Sequence, residues 1–121
     1  MSTATSSESA AAIRASGFDH VAIWVSDLPT SVEWYQRVLG LTVAHGDDRH
    51  VFLRVGGEVL ALFQAGPERA VTGPHHVALR VPDVEAALEA VRAQGIIPTP
   101  RGPSLGFADP DGHWIHFSGG G

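Results

Sequence analysis

Seven histidines are the residues of this 121-residue chain whose type and spacing could support chemistry. Cysteine is absent, which excludes thiolate metal sites, disulfides and cysteine nucleophiles. Imidazole is a common ligand of divalent transition metals and a proton acceptor near neutral pH. Any metal must therefore be held by histidine, carboxylate or amide groups, and the histidine positions are the first indication of function.

The overall composition excludes several classes of protein. Eight basic residues stand against 13 acidic ones, giving a net charge of −5, so the chain lacks the positive field that binding to nucleic acid requires. It contains no apolar run long enough to cross a membrane and no basic start followed by an apolar secretory segment. We expect one globular domain in the cytoplasm, with neither nucleic acid nor membrane as a partner.

Two of the histidines occupy equivalent positions in an internal repeat. The segment 18–28, FDHVAIWVSDL, reappears as 74–84, PHHVALRVPDV, which aligns His20 with His76. The match continues to Gly40 and Gly95, each of which is a plausible helix end. We predict a flexible tail over 1–17, one domain over 18–118 built from modules 18–66 and 74–118, and a short tail over 119–121.

Both modules follow the same order of elements. Alternating apolar residues predict an opening strand, at 18–25 and 75–81, and an aspartate then precedes a helix, at 29–39 and 84–94. Three short strands complete each module, at 41–46, 49–55 and 58–64 and at 96–100, 104–109 and 113–118. The predicted fold is α+β: two βαβββ modules forming a cup-like, mostly antiparallel mixed sheet with the helices on its outer face.

Strand alternation indicates which histidines face the inside of the cup. His20 and His76 lie opposite the Val-rich sides that should pack under the helices, and His116 lies opposite Ile115 and Phe117 on the last strand. A single histidine of this kind is more often a hydrogen-bonded structural residue than a ligand. Recurrence at equivalent strand positions favours ligands, and three ligands with open positions are typical of a catalytic metal site.

The remaining polar candidates have weaker support. His45 and His50 flank a turn and are predicted to be solvated, His75 has the opposite parity to His76, and His113 lies in a hairpin. Gln64 could donate a carbonyl oxygen, but it shares the parity of the apolar residues of its strand and would need a bulge to reach the cup.

Several motifs together resemble the vicinal oxygen chelate superfamily, which includes glyoxalase I, extradiol dioxygenases and bleomycin-binding proteins. They are His20-Val21-Ala22-Ile23 with Asp27-Leu28, Trp34-Tyr35 through Leu39-Gly40-Leu41, His76-Val77-Ala78-Leu79, and Phe107 through Asp109-Pro110-Asp111-Gly112-His113. The resemblance covers 18–118. It implies metal ligands at His20 and His76, but His116 replaces the usual glutamate and Ala61 occupies the position of a further acidic ligand.

The resemblance implies a metalloenzyme, either a lyase or a dioxygenase, with one divalent ion per site: Zn, Ni, Mn or Fe. The ion would bind two adjacent oxygens of a small metabolite, between apolar walls formed by Trp24, Trp114 and Phe107. Arg80 could hold an anionic group of the substrate, although a solvated arginine at the strand end is slightly favoured because arginine is mostly exposed. Without metal-bound carboxylates, and with Glu58 on the wrong side of its strand, proton transfer lacks a base, which favours Lewis-acid or oxygen-activating chemistry.

Two other functions stay open. The first is metal-free antibiotic binding as in bleomycin resistance, where the net charge of −5 would suit a cationic drug. The second is a lyase or epimerase similar to glyoxalase I. In either case the resemblance implies a homodimer, in which two chains cover exposed strand edges and complete two cups.

Overall fold

A computed structural model of the chain describes residues 12–69, 71 and 76–119. Its elements are β1 (Val21–Val25), α1 (Leu28–Leu39), β2 (Thr42–Gly46), β3 (His50–Val55), β4 (Glu58–Gln64), β5 (His76–Val81), α2 (Val84–Arg92), β6 (Thr99–Arg101), β7 (Ser104–Ala108) and β8 (Trp114–Gly119). The predicted α+β fold of two βαβββ modules is confirmed. Most of the predicted N-terminal tail, residues 1–11, lies outside the described residues, as do residues 120–121.

Each module forms its own four-stranded mixed sheet. The strand orders are β1-β4-β3-β2 and β5-β8-β7-β6, and in each the opening strand runs parallel to the last. The other neighbours are antiparallel, as tight hairpin connections require. The opening strands β1 and β5 are therefore both edge strands, with one row of backbone groups unpaired within the described chain.

Local sequence signals explain where the helices begin and end. The Asp27 side chain accepts from the Thr30 backbone N–H at 3.1 Å, and Asp83 accepts from the Ala86 N–H at 3.0 Å. Gly40 ends α1 at a φ of 70°, a left-handed conformation that favours glycine. No helix among the described residues is long and apolar enough to span a membrane.

The core lies on the helix side of both sheets and runs across the junction between modules. Leu53 and Leu62 of module 1 belong to the same buried cluster as Val91 and Ile115 of module 2. At the junction, Trp34 of α1 packs against Phe107 of β7, with ring centroids 6.2 Å apart. We call the opposite side of each sheet, away from its helix, the inner face, and it is the side on which a functional site can form.

Candidate functional site

The inner face of module 2 brings two of the predicted ligands together. His76 on β5 and His116 on β8 have ring centroids 5.1 Å apart. They are not direct strand partners: His116 pairs with Ala78, which lies two residues after His76 on the same side of β5. Two imidazoles on neighbouring parallel strands at this separation can both direct a nitrogen at one ion.

Trp114 pairs with His76 on the inner face of module 2 and contacts both β7 and Arg101. A Cβ at Gly106 would lie 2.5 Å from the Trp114 ring, so only glycine lets the indole rest on β7. The guanidinium of Arg101 lies 4.1 Å from the ring centroid, a cation–π contact. Trp114 thus occupies its predicted place on the inner face, although only 8% of its surface is exposed.

The third predicted ligand, His20, lies in the other module, in the residue before β1. Its Nδ1 is 2.8 Å from a carboxylate oxygen of Asp19, and its ring stacks on Phe52 at 5.5 Å. Donation of the Nδ1 proton to a carboxylate fixes the tautomer and leaves Nε2 free, the arrangement found behind many metal-bound histidines. Within the described residues of one chain, however, no group of three potential ligands has metal-binding geometry.

The inner face of module 1 contains an aromatic cluster that strand alternation only partly anticipated. Phe52 is surrounded by the rings of His20, His45 and His50, with centroid distances of 5.5, 4.6 and 5.3 Å. Phe63 continues the cluster at 6.4 Å from Phe52 and stacks on His50 at 5.4 Å. His45 is exposed, as expected, although its ring also packs on Phe52, whereas His50 is partly buried between Phe52 and Phe63 and is not simply a solvated turn residue.

Different local features bring these two histidines to the inner face. A bulge between Val43 and His45 shifts the register so that His45 pairs with Phe52, and regular alternation would have turned it away. His50 pairs directly with Phe63, which in turn pairs with Trp24, so the three share one row across the sheet. The alternation of β3 could have predicted the position of His50, because Val51 and Leu53 lie on the core side and His50 and Phe52 on the other.

The remaining residues predicted to bind substrate lie in different surroundings. Trp24 reaches the inner face, 39% exposed, with the Arg69 guanidinium 4.2 Å above its ring. Arg80 is exposed and lines a cavity of about 760 Å³, between the modules, that also reaches His76 and Phe18. Phe107 was expected in the wall but is only 3% exposed within the core, because its strand partner is the buried Ile115.

Gln64 has a structural role that fully occupies its side-chain amide. Its Oε1 accepts from the Leu28 N–H at 2.8 Å, and its Nε2 donates to the carbonyls of Ser26 and Ala65. These bonds fasten the end of β4 to the start of α1. The amide oxygen therefore points at a helix terminus instead of the cup.

Positive groups predominate on the two inner faces. Glu58 is the only acidic residue in the described strands, and it shares the core side of Leu60 and Leu62. Arg54 on β3 and Arg101 on β6 alternate with residues of the opposite side and join the inner faces. The inner-face side chains of the described strands thus carry positive charge, while the carboxylates of Asp19 and Asp47 lie just outside the strands, beside His20 and His50.

A buried network that sequence reasoning missed lies at the module junction. The Tyr35 hydroxyl of α1 donates to the Asp109 carboxylate at 2.6 Å, and the His113 Nδ1 lies 2.7 Å from the same oxygen. The Asp109 side chain is fully buried and that of His113 is 7% exposed. Tyr35 and Asp109 are 74 positions apart, so no local pattern could have paired them.

The network changes the pKa values of all three groups. Burial, reinforced by the negative Asp109 beside it, raises the pKa of the Tyr35 hydroxyl. Burial also acts to raise the pKa of Asp109, but hydrogen bonds from His113 and Tyr35 outweigh it and leave this pKa below its usual value. The hydrogen bond to Asp109 raises the pKa of His113 against the opposing effect of burial. The junction thus contains a buried carboxylate stabilised by its donors.

Two successive βαβββ modules with inner-face histidines define a class of small two-module proteins in which each sheet supplies part of a cup. The family model described as Glyoxalase/Bleomycin resistance protein/Dioxygenase superfamily matches residues 17–117. The chain belongs to this superfamily. No curated protein sequence matches the chain.

Solved structures with the same fold have diverse functions. A lactoylglutathione lyase from Agrobacterium tumefaciens is 22% identical, with a TM-score of 0.73 over 88% of this chain and 96% of that one. A bleomycin-binding protein from Streptomyces verticillus, complexed with copper(II)-bleomycin, is 23% identical, with a TM-score of 0.67 over 84% and 94%. A fosfomycin resistance protein from Listeria monocytogenes, complexed with Mn(II) and sulfate, is 20% identical, with a TM-score of 0.70 over 88% and 92%. At these identities the similarity establishes the fold alone.

Proposed function

We propose that the protein is a divalent-metal-dependent enzyme that acts on a small metabolite through two adjacent oxygens. The observation that carries this proposal is the His76–His116 pair, whose ring centroids are 5.1 Å apart on the inner face of module 2. Imidazole donors suit Zn, Ni and Fe, and two of them supply half of the ligands of a tetrahedral site or a third of those of an octahedral site. Arginines around the cup suit an anionic substrate.

We propose His20 of a second copy of the chain as the third ligand. Both β1 and β5 have an unpaired edge, and five consecutive residues of β5 line the cavity of about 760 Å³ between the modules. Open strand edges are stabilised by pairing. A homodimer that joins module 1 of one chain to module 2 of the other would cover these edges and bring His20 towards His76 and His116.

The side chains of this chain fit such a site. When bound, the ion would act as a Lewis acid on the two substrate oxygens, or would activate oxygen, with the higher charge that neutral imidazole ligands leave on it. Asp19 would hold His20 in the tautomer that leaves Nε2 free. Trp24 and Trp114 would exclude water from the two sides, and Arg80 would bind a negative group of the substrate.

A lyase or epimerase that moves a proton is the second candidate. The case against it was the lack of a base on the inner faces, and the imidazole of His50 on the module 1 inner face supplies one. His50 Nδ1 also lies 3.3 Å from the Asp47 carboxylate, a partner that could orient the ring. Binding of a cationic drug has less support, because arginines and no carboxylates lie on the inner faces of the described strands.

The experiment that tests the proposal begins with protein purified without a histidine tag. We expect about one divalent ion per chain by elemental analysis and a dimer by light scattering across micromolar concentrations. A metal-free monomer would contradict both parts. Apoprotein loaded separately with Zn, Ni, Mn or Fe(II) would then be assayed for hemithioacetal isomerisation and for oxygen uptake with catecholic or enediol substrates.

The substitution His116→Glu separates the two reaction classes. It introduces the carboxylate that proton transfer in this superfamily uses. If the absence of that carboxylate limits proton transfer, isomerase activity should rise from background while the metal content is retained. Strong isomerase turnover by the unmodified protein would exclude Lewis-acid or oxygen-activating chemistry as the principal activity.

A further inference from the structure

The linker between β4 and β5 joins the two modules, and the structure describes residues 65–69 and 71 of it. Its first residue, Ala65, donates its N–H to the Val25 carbonyl at 2.8 Å. A turn follows, in which the Arg69 N–H donates to the Gly66 carbonyl at 3.2 Å. The start of the linker is thus fastened to the end of β1, and the turn brings Arg69 back over the inner face of module 1.

Two residues of the linker contact opposite modules. The Arg69 guanidinium lies 4.2 Å from the centroid of the Trp24 ring, on the inner face of module 1. The Val71 backbone forms a hydrogen bond with the His113 side chain at the module junction, and this bond raises the pKa of His113. A bond that raises the pKa of an imidazole is one that the ring donates, so its acceptor is the Val71 carbonyl. Because at most about 7 Å of chain separates residues two positions apart, the Val71 bond restrains Arg69.

The ring of His113 faces an acceptor at each of its nitrogens. Nδ1 lies 2.7 Å from the Asp109 carboxylate, which leaves Nε2 to donate to the Val71 carbonyl. The side chain is only 7% exposed, so little water reaches it. An imidazole donates from both nitrogens only when it is doubly protonated and positively charged. The arrangement therefore fits an imidazolium between a carboxylate and a carbonyl.

The groups around His113 decide which bond is lost when the ring becomes neutral. Among the described residues, the charged groups that face it are the carboxylates of Asp109 and Asp111 in the β7–β8 turn. From α1 the neutral Tyr35 hydroxyl donates to Asp109, and the described part of the linker contributes the Val71 carbonyl. A neutral imidazole keeps its hydrogen on Nδ1, because a carboxylate accepts more strongly than a carbonyl. Nε2 then directs a lone pair at the Val71 carbonyl, and the bond to the linker is lost.

We propose that the imidazolium of His113, acting through Val71, positions the Arg69 guanidinium over the inner face of module 1, and that loss of its proton to solvent releases Arg69. In the held state a positive charge covers the Trp24 ring. In the released state the ring is uncovered and the charge moves into solvent. The inference does not depend on the proposed metal, because none of these residues is a proposed ligand.

The NMR signals of the Arg69 side chain test this positioning in the full chain without metal. Protons above an indole face are shifted upfield, so an upfield shift of the Arg69 signals marks the contact with Trp24. We expect this shift in mildly acidic to neutral solution and its loss as the pH rises, with the same midpoint as the ring signals of His113. Arg101, which lies 4.1 Å from the centroid of the Trp114 ring, is the matched control and should keep its shift. An Arg69 shift that does not change with pH would show that the turn alone holds Arg69, and would overturn the proposal.

Substitution of the imidazole separates positioning from a merely structural role. His113→Gln keeps a side chain that can donate a hydrogen bond but removes the titration, so the Arg69 shift should no longer vary with pH. His45→Gln makes the same change at a histidine of module 1 and should keep the wild-type pH profile. A wild-type profile in His113→Gln would assign the effect to another group and refute the proposal.

A second variant keeps the histidine and moves its titration. Tyr35→Phe removes a donor that shares the Asp109 carboxylate with His113, so the carboxylate stabilises the imidazolium more strongly. The midpoints of the His113 ring signals and of the Arg69 shift should both rise, on the order of half a pH unit. This variant decides the question if His113→Gln does not fold. A midpoint that rises for His113 but not for Arg69 would show that the two residues are not coupled.

Discussion

The two modules are copies of one βαβββ unit, but they resemble each other far more on the core side than on the inner side. Leu60 and Leu62 of module 1 and Ile115 of module 2 are buried against helices by the same strand alternation. On the inner side, module 1 has a cluster of aromatic and imidazole rings, whereas module 2 has a histidine pair beside a tryptophan clamped by Arg101.

This difference shows which positions packing constrains. A core residue must fill a fixed volume under its helix, so both copies keep aliphatic side chains there. An inner-face residue does not pack under the helix of its module and can differ between the copies, as Ala61 and His116 do at equivalent positions of the repeat. Among the described residues of one chain no three potential ligands come together, so the metal site proposed above depends on how the modules are assembled.

The largest expected effect concerns the junction that holds these two unlike modules together. Asp109→Asn leaves Tyr35 and His113 without their charged acceptor in a buried place and should lower the free energy of unfolding by about 3 kcal/mol. Urea denaturation measures this change in the free energy of unfolding. The exposed Glu33→Gln, which breaks the surface pair with Arg37, should change stability by less than about 0.5 kcal/mol. Similar values for the two variants would show that the modules do not depend on this network.

The same network predicts a pH dependence. The lowered pKa of Asp109 gives stability that is present at neutral pH and lost as the pH falls through its folded-state value. The raised pKa of His113 gives stability that is complete below the ordinary histidine value and is lost as the pH rises through its folded-state value. The stability difference between wild type and Asp109→Asn should therefore peak in the mildly acidic to neutral range. A difference independent of pH would show that charge does not hold the junction.

Metal affinity distinguishes the proposed ligands from the other inner-face histidines. His116→Ala should reduce metal affinity on the order of 100-fold, because loss of a direct ligand costs at least as much as loss of its outer partner. His45→Ala is the matched control in module 1 and should leave affinity unchanged, since His45 is not one of the proposed ligands and its ring packs on Phe52 from the edge strand β2. Titration with Zn and a competing chelator measures both. In wild type, acid should release the metal as imidazoles protonate.

The tryptophan clamp of module 2 depends on one glycine. Gly106→Ala places a Cβ about 2.5 Å from both the Trp114 ring and the Ile115 carbonyl, and should destabilise the protein by about 2 kcal/mol while displacing the indole. Gly57→Ala has no heavy atom within 4 Å of the added Cβ and is the control. Thermal unfolding and tryptophan fluorescence report on the two effects. An unchanged emission spectrum in Gly106→Ala would show that the clamp does not fix Trp114.

The smallest expected effect tests the partner of His20. Asp19→Asn keeps an acceptor oxygen but removes the charge, and should weaken metal binding up to about tenfold without changing the stoichiometry. Glu33→Gln again provides the control, measured by the same chelator competition. If the Asp19→Asn variant binds metal as tightly as wild type, the contact between Asp19 and His20 does not contribute to metal binding.

The sequence by itself determined the modules and their elements, because those depend on local signals. The repeat of His20 at His76 indicated two modules, Asp27 and Asp83 marked the helix starts, and alternation placed His116 on the inner side of its strand. The elements differ from prediction mainly where proline interferes. β6 is confined to Thr99–Arg101 and contains Pro100, which has no N–H for the ladder and is tolerated because β6 is the edge strand of its sheet.

Tertiary structure decided what depends on register and on distant contacts. A single bulge turned His45 towards Phe52, and one residue of register reverses every side chain beyond it. The Gln64 side chain accepts a hydrogen bond from the start of α1, 36 positions away. Phe107 is buried in the core because it pairs with Ile115. The Tyr35–Asp109–His113 network joins the two modules through a buried charge, and such a pairing exists only once packing has excluded water from the junction.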